Sequence, residues 1–121
     1  MVVLQKFIDL ECWKQARKNA NNMYDFFWES RDFWFRDQIL RAAVSAMNNI
    51  AEWFGKQTEK DRIRFLDIAI WSLNEVQSML YLASDRKYIN LEQLNNLLSQ
   101  TTETMNLTYG FRRHLEKTIA P

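Results

Sequence analysis

Three features of the sequence predict an all-helical fold. Glycine and proline are scarce, with two Gly and a single Pro at position 121, so the chain lacks the turn residues that a β-rich fold needs at close intervals. Apolar residues recur at helical spacing in four long segments. The segments are joined by only a few residues each, and short connections between long helices force neighbours to run antiparallel. The expected architecture is an antiparallel up-down-up-down four-helix bundle in which residues 1–121 form one domain. That length allows a chain to bury roughly two thirds of the surface its unfolded form exposes.

The first segment runs from about Phe7 to Trp28 and aligns Leu10, Trp13, Ala16, Ala20, Met23 and Phe27 on one face. The second, Phe33 to Phe54, aligns Phe35, Ile39, Ala43, Ala46, Ile50 and Trp53, and Gly55 is expected to stop it in a left-handed C-cap. Thr58, with Asp61 three residues on, has the form of a capping box opening the third helix. That helix carries a heptad seam of Leu66, Ala69, Leu73, Val76, Leu80 and Ala83, and it ends before the polar stretch "SDRKYIN". Asn90 and Gln93 form a second box-like pair ahead of a fourth helix from Leu91 to about Lys117. Its inward face is Leu94, Leu98, Thr101, Met105, Thr108 and Leu115. Between Leu94 and Phe111 this helix has one charge, Glu103. So neutral an outer face suits a helix covered by another subunit, or one that is polar and solvated.

Several chemistries are excluded. Cys12 is the sole cysteine, so no intramolecular disulfide forms, and a buried or half-buried structural thiol is expected rather than a nucleophile. The single histidine, His114, rules out the paired Glu-x-x-His motifs of di-metal bundles. There is no phosphate-binding glycine loop or zinc-type Cys/His spacing. No apolar run reaches the ~18 residues of a membrane-spanning helix, and no signal peptide is evident at the start. The expectation is a cytoplasmic, non-enzymatic protein with no cofactor, no metal and no membrane partner.

Folding the second and third helices about their turn brings a stripe of small and polar residues face to face. Gln38, Arg41, Ser45, Asn49 and Glu52 stand on one helix, Ser72 and Glu75 on the other. A partly buried, register-setting polar ladder is expected, with Arg41 held by Glu75, since an unpaired buried charge is costly.

The stretches "QILRAAVSAMNNIAEWFG" (Gln38–Gly55) and "DRIRFLDIAIWSLNEVQ" (Asp61–Gln77), with "LECWKQAR" (Leu10–Arg17) upstream, resemble the four-helix-bundle family of 23S rRNA-intervening-sequence proteins. That family includes the accessory variability determinants of diversity-generating retroelements. The resemblance implies a homopentameric barrel of four-helix bundles. In the retroelement branch it implies a non-enzymatic protein that binds RNA or DNA and a reverse transcriptase. The chain departs from the family where Trp53 and Trp71 replace glycines and Met47 replaces a proline, a loss expected to straighten the second helix. Trp71 lies on the outward stripe of the third helix with Tyr81, and both are candidates for a subunit interface.

The sixteen basic and fifteen acidic residues nearly cancel, but an up-down-up-down order separates them. The end holding both termini and the turn between the second and third helices carries eleven basic residues against seven acidic, a net of +4, and the remainder carries five against eight, a net of −3. Lys14, Arg17, Lys18, Lys60, Arg64, Arg112 and Arg113 are the candidate nucleic-acid contacts. The stretch "YDFFWESRDFWF" (Tyr24–Phe35), with seven aromatics in twelve residues, falls at the acidic end. Base-stacking platforms and wedges that enter anionic membranes are flanked by basic residues, so Phe27 and Phe35 are expected in the core, and Trp28, Phe33 and Trp34 as a cap on the bundle end or in contacts with a neighbouring subunit or protein partner. Two functions fit: an oligomeric nucleic-acid-binding accessory protein, or an oligomeric protein-interaction scaffold without a nucleic-acid role.

Overall fold

Local side-chain chemistry sets most of the helix ends in the computed structural model, which describes residues 6–119; both extremities of the expected 1–121 domain, with Pro121, lie outside the described residues. The helices are α1 (Glu11–Phe27), α2 (Phe33–Gly55), α3 (Glu59–Asp85) and α4 (Leu91–Ile119), and no strand occurs among the described residues. The first helix starts later than the apolar spacing predicts. Phe7–Asp9 form a separate 3-10 turn, closed by the Leu10 N–H donating to the Phe7 carbonyl at 3.0 Å, and Leu10 itself is extended.

The two expected caps form. Thr58 Oγ1 accepts from the Asp61 N–H at 3.2 Å. Asn90 and Gln93 cap reciprocally: Asn90 Oδ1 accepts from the Gln93 N–H at 2.8 Å, and Gln93 Oε1 accepts from the Asn90 N–H at 2.9 Å. A third cap escaped the sequence reading, for Asp32 Oδ1 accepts from the Phe35 N–H at 3.1 Å and opens α2. The left-handed stop expected at Gly55 is not there, since no glycine has a positive φ. Instead Lys56 turns extended and leads within two residues to the Thr58 cap, which leaves no room for a left-handed closure. The left-handed residue is Lys87, at φ 63°, after α3. Its N–H donates to the Ser84 carbonyl at 3.0 Å and that of Tyr88 to Ala83 at 2.8 Å, the paired bonds of a Schellman motif.

The apolar faces close on one another as a four-helix bundle. One core cluster joins the last turns of α1 (Ala20, Met23, Phe27) to the first of α2 (Phe35, Ile39), the last of α3 (Val76, Leu80, Ala83) and the first of α4 (Leu94, Leu97). A second joins Leu10, Cys12 and Ala16 to Ile50 and Trp53, Leu66 and Ala69, and Leu115. Ala46, Ile70, Leu73 and Met105 lie between them. Every expected seam residue of α3 is fully buried.

The seam between α1 and α4 is polar. Asn19, inaccessible to solvent, donates through Nδ2 to Gln100 Oε1 at 2.6 Å and to Thr101 Oγ1 at 2.8 Å. Gln100 Nε2 donates onward to the Gln15 carbonyl and to Thr104 Oγ1. The hydroxyls of Thr101, Thr104 and Thr108 each donate to the carbonyl one turn back. Part of the neutrality of α4 noted in the sequence is therefore turned inward, toward α1.

The polar ladder between α2 and α3 is shorter than expected. Ser45 and Ser72 share a hydrogen bond of 3.0 Å, and Asn49 Nδ2 donates to the Ser45 carbonyl at 2.8 Å and to its hydroxyl at 3.2 Å. Gln38 is half-buried. The Arg41–Glu75 pair does not form: both side chains are exposed and no ion pair joins them. Glu52 is also exposed and pairs with Lys56 at 3.6 Å. The two side chains stay apart for a simple reason: long charged side chains at the edge of a seam reach water more cheaply than they desolvate in a pair. Arg41→Ala and Glu75→Ala are accordingly expected each to change stability by less than about 0.5 kcal/mol and to combine additively. Urea unfolding of the single and double mutants measures this.

Cys12 is fully buried in the second core cluster. Burial, outweighing two backbone hydrogen bonds, pushes its thiol from 9.0 up to about 12. A group whose native value is raised stabilises the fold fully below its unfolded value, and here that contribution is lost as pH climbs from 9.0 toward about 12. In the native protein at pH 8 the thiol should resist Ellman's reagent and react only on unfolding. Labelling kinetics with and without denaturant provide the check.

Candidate nucleic-acid interface

Because the second core cluster gathers the start of α1, the end of α2, the start of α3 and the end of α4, the basic residues flanking those segments share one end of the bundle. Lys18, Lys60, Arg64 and Arg113 are exposed there and make no ion pair among the described residues. Arg17 is also exposed, its guanidinium 5.7 Å from the Trp13 ring centroid. Lys14 meets Glu11 at 3.3 Å, with both side chains more than half exposed, and so open a pair holds a lysine only weakly.

Arg112 is different. Its Nε donates to Asp67 Oδ1 at 2.5 Å, its Nη1 pairs with Glu116, and its side chain is only 29% exposed. It ties α4 to α3 rather than waiting for a phosphate, and a sequence count of basic residues cannot see that. Two other basic residues at this end are likewise engaged. Arg62 pairs with Glu59 at 3.0 Å and donates to the Lys56 carbonyl at 2.8 Å, while Lys56 Nζ lies 4.8 Å from the Phe65 ring centroid. The open cationic set is therefore Lys14, Arg17, Lys18, Lys60, Arg64 and Arg113. Close by on α4, Asn106, Leu107, Gly110, Phe111 and His114 line a shallow, largely apolar groove of about 440 Å³.

The tryptophans divide in two. Trp53 is buried against Phe111, with ring centroids 5.5 Å apart, and its indole N–H has no hydrogen-bond partner among the described residues. Trp71 and Tyr81 are 65% and 57% exposed on α3, and Trp28 and Trp34 are 58% and 68% exposed at the other end of the bundle. Phe27 and Phe35 are core residues in edge-to-face contact at 5.3 Å, as their spacing predicted. Trp28 is not a bare ring, for the Arg36 guanidinium lies over it and over Phe33, 5.2 and 4.9 Å from their centroids. No helix among the described residues is long and apolar enough to cross a membrane.

Comparison with known proteins bears on what such a bundle does. Residues 8–110 match the family described as 23S rRNA-intervening sequence protein. The crystal structure, at 1.70 Å resolution, of a protein of unknown function from the S23 ribosomal protein family of Bacteroides thetaiotaomicron VPI-5482 is similar, with a TM-score of 0.78 and 28% identity, covering 84% of this chain and 97% of that one. No curated protein matches the chain.

Proposed function

The chain belongs to the 23S rRNA-intervening sequence protein family, and from that premise we propose that it is a non-enzymatic, oligomeric nucleic-acid-binding accessory protein that holds its polyanion at the basic end. The observation that carries this reading is the open set of cations on three helices at one end of the bundle, Lys14, Arg17 and Lys18 on α1, Lys60 and Arg64 on α3, and Arg113 on α4. With the helices in antiparallel up-down-up-down order, that end carries +4 although the whole chain carries only +1. Protomers packed side by side around an axis align their basic ends, and five copies would present about +20 on one face, enough to attract a phosphate backbone. The pentamer, and a reverse transcriptase of a diversity-generating retroelement as protein partner, are the finer form of this proposal. Trp71 and Tyr81 on the outer stripe of α3 are the interface anchors it nominates, since exposed aromatics of this size are favoured anchors at subunit contacts.

A scaffold without nucleic acid is the second reading, favoured by the same exposed tryptophans. The two readings separate on two measurements. Static light scattering on the purified protein should give a mass of about five protomers, and a monomer at micromolar concentration would overturn the oligomer on which the charge alignment depends. Structured RNA should bind with little sequence selectivity and lose at least ~tenfold in affinity from ~50 to ~200 mM salt, as phosphate contacts dictate. Replacing Arg17 and Lys18 with glutamate should weaken binding strongly, while the same change at Arg86 and Lys87 should do little. Absence of RNA binding at low salt, or greater damage from the Arg86/Lys87 change, would leave the scaffold reading.

A further inference from the structure

The end of the bundle opposite the basic residues holds a second concave surface, which nucleic-acid binding leaves unused. The α1–α2 turn and Tyr88 enclose a pocket of about 480 Å³ lined by Phe26, Phe27, Tyr88, Glu29 and Asp32, together with Ser30 and Arg31. The size falls in the range of pockets that hold small ligands or single side chains. Its parts are fixed to different degrees. Phe27 is core. Tyr88 packs edge-on to Phe35 at 5.3 Å and donates its hydroxyl to Asp32 Oδ2 at 2.6 Å, while Asp32 Oδ1 is occupied as the cap of α2. The Tyr88 hydroxyl, then the Phe35 N–H, hold the Asp32 carboxyl below its ordinary value, so it is anionic at neutral pH. Phe26 and Glu29 remain exposed, and Glu29 has no ion pair or hydrogen bond among the described residues.

The geometry points to a receptor for an arginine side chain carried by a basic segment of a protein partner. Aromatic faces present negative potential to a cation, and carboxylates supply the counter-charge. The remainder of the chain that includes this end has a net charge of −3, which repels a phosphate backbone and attracts a basic peptide. The molecule already contains the same combination one turn away, where the Arg36 guanidinium lies over the Trp28 and Phe33 rings, 5.2 and 4.9 Å from their centroids, and pairs with Asp37 at 3.0 Å. Arginine is favoured over lysine because its planar fork can stack on a ring and meet the free Glu29 carboxylate with two donors at once. Arg31 in the lining, and Arg86 near enough to act on Asp32, work against a cationic guest.

The test uses the full-length protein and three labelled probes: an arginine homopeptide, a lysine homopeptide of equal length, and RNA, at ~0.15 M salt where distant charges are screened. The arginine peptide should bind at least ~tenfold more tightly than the lysine peptide, a difference larger than equal charge can give. Glu29→Gln and Phe26→Leu, the second keeping bulk while removing the ring, should each weaken it several-fold. Arg31→Gln should tighten it, and Glu103→Gln, on α4, should leave it unchanged. Amide resonances of Phe26 and Tyr88 should shift on peptide addition, and thermal unfolding confirms that each variant is folded. Equal affinity for the two peptides, or an equal loss from Glu103→Gln, would reduce the effect to general electrostatics and overturn the proposal. Weakened RNA binding in Glu29→Gln would make nucleic acid the occupant, and wild-type end-to-end polymers lost in that variant would make it a second copy; either result overturns the proposal. None of these outcomes depends on the Arg17/Lys18 test of the basic end, so the two readings fail separately.

Discussion

Leu66, Ala69, Leu73, Val76, Leu80 and Ala83 are removed completely from water along one face of α3, and the other three helices bury their own stripes against the same interior. Each fully buried aliphatic side chain of Val or Leu size is worth about 1.5–3 kcal/mol, far more than any surface ion pair seen here. That burial fixes which helix ends lie together, because the stripes of α1, α2, α3 and α4 meet in register over two core clusters. The clustering of open cations at one end, and of aromatic rings and carboxylates at the other, follows from that apolar constraint rather than from attraction among the charges.

Polar groups are accommodated in two ways. Several short side chains in the interior find partners close by: Thr101, Thr104 and Thr108 return their hydroxyls to their own helix, and Ser45 and Ser72 share a hydrogen bond. Asn19 spends both amide hydrogens on α4, which fixes the register of α1 against α4 across a seam that apolar packing alone would specify weakly. Long charged groups stay at the periphery. Arg41 and Glu75 are free of one another, whereas Arg112 is drawn between Asp67 and Glu116 because the two carboxylates lie within its reach. Formal charge in a sequence is thus a poor guide to charge available for a ligand.

The two ends differ in how their cations are held. At the basic end Lys18, Lys60, Arg64 and Arg113 stand free of protein partners, an arrangement suited to a polyanion recognised by backbone charge. At the aromatic end Arg36 is internally satisfied by two rings and a carboxylate, while Glu29, Arg31, Arg86 and Lys87 are exposed without an ion pair among the described residues. The two ends therefore differ in the charge and the aromatic surface they expose.

Fold class, the number of helices, two of the caps and the core stripes were legible in the sequence, since periodicity and capping are local and 3.6-residue spacing has one physical interpretation. Even the role of the aromatic stretch was partly legible, because Phe27 and Phe35 continue the core stripes while Trp28 and Trp34 do not. What tertiary structure decided was everything requiring distance between segments far apart in the chain. Sequence spacing could not show that Asp32 receives Tyr88 or that Asn19 faces Gln100 and Thr101; the Asp32 cap and the left-handed Lys87 are local features that the reading of the sequence missed. Nor could it tell a paired Arg112 from an open Arg113. Local propensity acts over a few residues, whereas the fate of a charged side chain depends on which carboxylates the packed helices bring within a few ångströms of it.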